Sequence, residues 1–294
     1  MKDPIAALIE AEALPESYRT VVEQCWRPLA ASIARRAADK RPLLIGVNGA
    51  QGSGKSTACR FLEALLAEQD LRAVTLSLDD LYCTRAERER LARGVHPLFV
   101  TRGVPGTHDV ALGMEVLDRL LSGRGAALPR FDKARDDRSP SPEQVKGAVD
   151  VVLFEGWCVG AAPQPEDALA RPINRLEAEE DPAGNWRRHV NHRLSTDYAR
   201  LFARTDLLVM LKVTGFEVVR ANRLRQEEKL ARPRPEGPAL MDAAAIERFI
   251  AHYERLTRWT LAEMPGRADV LFEVDAGQRP HASRGLTGAN YSTG

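Results

Sequence analysis

Short, nearly unbroken apolar runs alternate along this chain with stretches whose apolar positions recur at helical spacing. Residues 5–38 mix apolar and charged positions at that period, which predicts a helical extension over residues 1–40. The run LLIGV behind Pro42 predicts the first strand. Beyond Lys55 the period changes, and Ala58, Phe61, Leu62, Leu65 and Leu66 share one helix face. Further strands are predicted over 73–79 (AVTLSLD), 149–155 (VDVVLFE), 206–213 (DLLVMLKV) and 269–275 (DVLFEVD). These runs are continuous rather than alternating, so both sheet faces should be covered. That predicts a mostly parallel sheet between two helical layers, a three-layer α/β/α arrangement.

The spacers are uneven. Residues 83–148 form a long polar stretch rich in Pro and Gly, and 162–172 and 231–239 read as loops. Residues 278–294 have almost no apolar content and read as a loose tail, which leaves 41–277 as the main domain. With 294 residues and 44% hydrophobic composition, the chain has ample material for a globular core. Its 42 basic and 41 acidic residues leave a net charge of +1, which argues against a nucleic-acid coat or a polybasic membrane binder. The apolar runs are too short to span a bilayer, and Asp3, Glu10 and Glu12 break up the first apolar stretch, unlike a secretory leader. Cys25, Cys59, Cys83 and Cys158 are scattered with no C-x-x-C pair, so reduced thiols in a cytoplasmic protein are expected.

One segment carries specific chemistry. Gly49-Ala50-Gln51-Gly52-Ser53-Gly54-Lys55-Ser56 fits the pattern G-x-x-x-x-G-K-[ST] and lies between a predicted strand and a predicted helix. A polyphosphate is held by several converging backbone N–H groups, and side chains at those positions would block its approach. The following helix adds its positive dipole end. Lys55 is expected on the β/γ-phosphates, the Ser56 hydroxyl on Mg²⁺, and Thr57 beside them in the nucleotide site. The fold class is therefore read as that of P-loop nucleotide triphosphatases. Glu155, at the end of the third apolar run, is the expected second Mg²⁺ partner.

SLDDLY (77–82) closes the second predicted strand with two acids and a tyrosine. A carboxylate within reach of an acceptor hydroxyl aligns it and takes its proton as the bond to phosphorus forms. Asp79 is the candidate base, with Asp80 in reserve; an acid here also suits a helix cap. Tyr82, Arg102, His108 and Asp109 are candidate acceptor contacts, joined by Arg138 from the charged run at 128–140, which also holds Arg130, Asp132, Lys133 and Arg135. Residues 215–237 read as an arginine-studded helix of the kind that closes as a lid. Arg223 and Arg225 are its candidate contacts to the migrating phosphoryl group.

Taken together, GVNGAQGSGKST, SLDDLY, HPLFVTRGVPGTHD, LPRFDKARDDR and VVLFEGWCVGA resemble the D-glycerate 3-kinase family, within the phosphoribulokinase/uridine kinase group of P-loop kinases. The resemblance spans residues 42–275 and implies transfer from ATP, with Mg²⁺, to D-glycerate, giving 3-phosphoglycerate. It also implies Asp79 as catalytic aspartate with Tyr82 three residues on, Glu155 at the metal, and an acceptor segment ending at His108-Asp109. The sequence departs from the wider group at Leu81 and Phe131, where aromatic Phe and Tyr are usual, and at Asp136, where His is usual. Asn222-Arg223 stands where relatives carry Trp-Arg. Two other readings stay open: a P-loop kinase of another small acid, pantothenate or a nucleoside, and a nucleotide-dependent switch. The switch motifs N-K-x-D and D-x-x-G are absent, Phe154-Glu155-Gly156 standing where the latter would fall.

Overall fold

A computed structural model describes residues 3–222 and 243–286. Its main sheet has six strands: β1 (Leu43–Gly49), β2 (Ala73–Ser77), β3 (Val151–Gly156), β4 (Leu207–Val213), β5 (Val270–Val274) and β6 (Pro280–Arg284). They lie in the order β6-β5-β4-β1-β3-β2, parallel throughout except for β6. The five strands expected from apolar runs are all present. Every residue of β1 and β3 is buried, as a parallel strand covered on both faces requires.

Helix Lys55–Ala67 packs on one face, burying Phe61, Leu62, Leu65 and Leu66. Helix Val110–Leu121 covers the other face with Val116, Leu117 and Leu120, joined by Tyr198 and Phe202. Two small ladders stand apart from the sheet: Ala126–Leu128 with Glu143–Val145, and Phe131–Asp132 with Asp137–Arg138. The second is a hairpin tied by Asp80 to the turn that follows β2.

Two expectations change. Residues 4–39 are largely helical, as their spacing predicts, but they do not form an outer appendage. Ile5, Ile9, Trp26, Leu29 and Ile33 belong to the same core as Phe61, Val209 and Phe272. The second change is at the C-terminal end. Instead of a loose tail from 278 onward, Pro280–Arg284 adds an antiparallel edge strand to β5. An edge strand draws its stability from backbone pairing and needs little apolar content. The Pro280 carbonyl also accepts a hydrogen bond from the Cys25 thiol, which ties this strand to the N-terminal helices. No helix among the described residues is long and apolar enough to cross a membrane.

Candidate active site

Five parallel strands of the sheet end on one edge here, and the loops leaving β1, β2 and β3 meet at that edge. β1 passes directly into the glycine-rich loop. Gly52 and Gly54 adopt φ of +75° and +87°, a region costly for any residue with a Cβ. Gly54 opens the helix Lys55–Ala67, so the first amides of that helix face the loop. The Gly52 carbonyl accepts hydrogen bonds from Asn222 Nδ2 (3.2 Å) and Gln278 Nε2 (2.8 Å), which hold the loop from outside. From inside, Asn48 at the end of β1 donates to the carbonyls of Trp157 (3.2 Å) and Val159 (2.8 Å). The loops leaving β1 and β3 are thereby locked together.

Sheet register places Glu155 beside both Val47 of β1 and Ser77 of β2. Ser56 Oγ donates to Glu155 Oε1 at 3.1 Å, and Lys55 Nζ stands 3.9 Å from Oε2. Glu155 is buried, and its Oε2 has no hydrogen-bond partner. A buried carboxylate oxygen without a donor, next to a hydroxyl at the mouth of a phosphate loop, fits a hard cation of the Mg²⁺ type. Such an ion keeps waters and phosphate oxygens for most of its shell. Among the described residues, no group of three or more His, Cys, Asp and Glu is arranged to hold a metal by itself.

At the end of β2 the chain makes a short 3₁₀ turn, Leu78–Leu81, opened by Ser77 Oγ accepting from the Asp79 amide. The turn sends its two acids in different directions. Asp79 accepts from the Tyr82 hydroxyl at Oδ1 (3.0 Å) and from Lys133 Nζ at Oδ2 (2.8 Å). Burial alone would push its pKa up, but the charges of Lys133 and Lys55 outweigh that and hold it at about 2. Asp79 is thus a carboxylate at neutral pH. Asp80 turns outward to the hairpin, paired with Arg130 at 2.7 Å and accepting the Phe131 amide at 3.0 Å. Of the two candidate bases, only Asp79 keeps its oxygens on site chemistry; Asp80 anchors the hairpin.

These groups line one cavity of about 470 Å³. Gln51, Gly52, Gly54, Lys55, Ser56 and Thr57 form its floor, with Asp79, Tyr82, Arg102 and Glu155 at the sides. Ala50 and Ser53 lie buried under the loop, and a Cβ on Gly49 would fall 2.3 Å from Ser53 Oγ. The Thr57 hydroxyl is held by Glu12 of the N-terminal helix at 3.2 Å. Arg102 reaches the cavity with its charge paired to Asp136 and its guanidinium 5.5 Å above the Phe131 ring. Arg223 and Arg225 lie outside the described residues.

Three expected acceptor contacts do not line this cavity. His108 stacks behind Tyr82 at 4.6 Å and 20°, and its Nδ1 meets the Tyr198 hydroxyl at 2.7 Å. Burial pushes its pKa down to about 3, so it is a neutral plate rather than an anion-binding cation. Asp109 caps helix Val110–Leu121 by accepting the Leu112 amide at Oδ1. Arg138 bridges the Tyr82 carbonyl and Asp109 Oδ2, each at 3.2 Å. All three buttress Tyr82 from behind, because the chain crosses under the tyrosine at the Tyr82–His108 bridge. Conversely, the expected set lacks Lys133 as partner of Asp79 and omits Trp157, Phe249 and Tyr253, which form the aromatic wall. Trp157 and Tyr253 are fixed by hydrogen bonds to the Gly103 carbonyl (3.0 Å) and the Arg102 carbonyl (3.1 Å).

No family model matches the chain. It is 33% identical over 224 residues to the uncharacterized kinase mug58 of Schizosaccharomyces pombe, covering 72% of this chain and 79% of that one. It is 31% identical over 228 residues to the chloroplastic D-glycerate 3-kinase of Arabidopsis thaliana, covering 73% of this chain and 47% of the plant protein. The chain therefore spans about half the length of that enzyme. Among solved structures, the D-glycerate 3-kinase of Cryptococcus neoformans superposes with a TM-score of 0.72 at 26% identity, over 87% of this chain and 97% of that one.

Proposed function

The chain belongs to the P-loop kinases of the phosphoribulokinase/uridine kinase group, and from that premise we propose that it transfers the γ-phosphoryl group of ATP to D-glycerate, giving 3-phosphoglycerate and ADP. One observation carries the reading. An ionised aspartate, Asp79, lines the same cavity as the phosphate loop and its lysine. The named relatives from plant and fungus supply the acceptor.

The chemistry follows from the cavity wall. Loop amides and Lys55 hold the β/γ-phosphates and offset the charge that builds on them in the transition state. Ser56 and Glu155 would hold Mg²⁺, which supplies Lewis-acid neutralisation of the phosphate oxygens when bound. Asp79 accepts the proton of the acceptor hydroxyl as its oxygen bonds to the γ-phosphorus. The bond from that phosphorus to the bridging oxygen breaks, and its electron pair leaves with ADP. Tyr82, kept protonated by burial and by the neighbouring Asp79 charge, orients the carboxylate with its hydroxyl. Trp157 and Tyr253 give the cavity an aromatic wall that would limit water on that side.

Coupled ADP release with purified protein and Mg-ATP, over D-glycerate, L-glycerate, glycerol, pantothenate and uridine, tests the proposal. D-Glycerate is expected to give the highest kcat/KM. Turnover of another acceptor with D-glycerate inert would overturn the glycerate assignment, and ATP hydrolysis indifferent to every acceptor would favour a nucleotide-dependent switch.

A further inference from the structure

Among the described residues, the cavity offers three cations: Lys55, Arg102 and Lys133. Their environments differ. Lys55 belongs to the phosphate loop and faces Glu155. Arg102 is spent on Asp136, which Arg88 also grips, and lies over Phe131. Lys133 alone reaches in from a solvent-facing backbone position, its side chain 63% exposed, with its ammonium on the base itself.

The hairpin that carries Lys133 is fastened on both sides of its turn. Asp80 holds Arg130 and the Phe131 amide. Asp136 is held by Arg88, Asp137 accepts the Arg85 amide, and Arg138 grips the Tyr82 carbonyl. Asp132 closes the turn by accepting the amides of Ala134 and Arg135. The backbone under Lys133 is therefore held, while its long, flexible side chain is largely exposed.

That placement conflicts with its neighbour's task. A carboxylate whose oxygen is already taken by an ammonium at 2.8 Å is a weak proton acceptor and has less room for a hydroxyl. Resting on the reading of the chain as a glycerate kinase, we propose that Lys133 recognises the carboxylate of the acceptor, and that it stays on Asp79 until an acidic acceptor draws it off. In the exchange the ammonium trades one carboxylate for another, and no covalent bond changes. Asp79 Oδ2 is then open to the acceptor hydroxyl, and its proton affinity rises at the moment a proton has to be taken. The device makes the base available to hydroxy acids. Water and neutral polyols carry no carboxylate to release it, so they meet a blocked base.

Steady-state kinetics on wild type, Lys133→Met and Lys133→Arg, with D-glycerate and with its uncharged analogue glycerol, test the proposal. In Lys133→Met, kcat/KM for glycerate is expected to fall about 10- to 100-fold, the range of one charge-assisted contact. Glycerol turnover and acceptor-free ATP hydrolysis are expected to rise, because the base loses its blocking ammonium, and the KM for Mg-ATP to stay within about threefold, which also reports an intact fold. Lys133→Arg is expected to recover part of the preference for the acid. Equal loss on both acceptors, or no change on glycerate, overturns the proposal. Should another hydroxy acid prove to be the acceptor, the comparison runs on that acid and its amide, so the glycerate assignment and the role of Lys133 fail separately. A wild type that turns over no carboxylate-bearing acceptor overturns both.

Discussion

Ser56 and Glu155 are 99 positions apart in the chain, yet the serine hydroxyl donates to the glutamate at 3.1 Å. The contact exists because β1 and β3 are parallel neighbours in register, so the loop after one and the last acid of the other meet at the same edge. The pair places two oxygen donors where the nucleotide's cation would sit. Glu155→Gln keeps the shape and removes the charge. Its expected effect is a rise of about tenfold or more in the Mg²⁺ concentration needed for half-maximal activity, with KM for the acceptor little changed. Titration of activity with Mg²⁺ at fixed ATP measures this. An unchanged Mg²⁺ requirement would remove Glu155 from the cation site.

Gly52 leaves no room for a side chain on the outer flank of the phosphate loop. A methyl group there would lie 2.6 Å from Asn222 Cβ, on a backbone with φ +75°. The left-handed conformation alone costs a residue with a Cβ about 1–2 kcal/mol. In Gly52→Ala the loop is expected to relax away from the nucleotide, raising KM for ATP about tenfold or more and lowering Tm by a few degrees. Nucleotide titration together with a thermal melt checks both; a variant with wild-type ATP affinity would show that the loop's curvature is not set here.

Trp26 tests whether the N-terminal helices belong to the folding unit. The indole is fully buried, packs edge-on against Phe272 of β5 at 5.1 Å, and donates to the Tyr18 hydroxyl at 3.2 Å. Trp26→Ala is expected to cost about 3–5 kcal/mol. The urea midpoint should fall while the transition stays single, since the indole sits in the core shared with the sheet. Two separate transitions would mean that residues 4–39 unfold on their own.

How far the sequence revealed this site depends on how local each feature is. The phosphate loop is eight consecutive residues between a strand and a helix, so reading it needs no tertiary information. The central strands β1 and β3 announce themselves because a strand covered on both faces is apolar at nearly every position. β6 gave no such signal: His281, Ser283 and Arg284 suit an edge that needs only backbone pairing. Within the charged run at 128–140, charge alone could not separate the residues. Which of Arg130, Lys133 and Arg138 enters the cavity is decided by the hairpin's turn, where one residue tips the loop and its neighbours point back to Asp80 and Tyr82. His108, Asp109 and Arg138 sit behind the Tyr82 ring rather than in the cavity, a placement that their positions in the sequence do not reveal. Trp157 lies near the middle of the chain and Tyr253 well beyond it, and only packing brings them together.

Asp79 links the site to stability as well as to chemistry. Its carboxyl titrates at about 2 in the folded protein, since Lys133 and Lys55 outweigh the effect of burial, against about 3.9 for an unfolded aspartate. A lowered folded-state pKa favours the folded state at every pH above the unfolded value. That contribution is lost as pH falls from about 4 toward 2. The Tm difference between wild type and Asp79→Asn should therefore be steady from neutral pH down to about 5 and shrink below 4. A difference that widened on acidification would reverse the sign and show that the carboxyl is not held by these two ammonium groups. At neutral pH the same variant keeps the phosphate loop but has no proton acceptor. Its kcat is expected to fall by about 10²–10⁴, with nucleotide affinity within a few-fold of wild type. Parallel loss of ATP binding would instead put Asp79 among the groups that hold the nucleotide's cation, leaving the acceptor hydroxyl to another base.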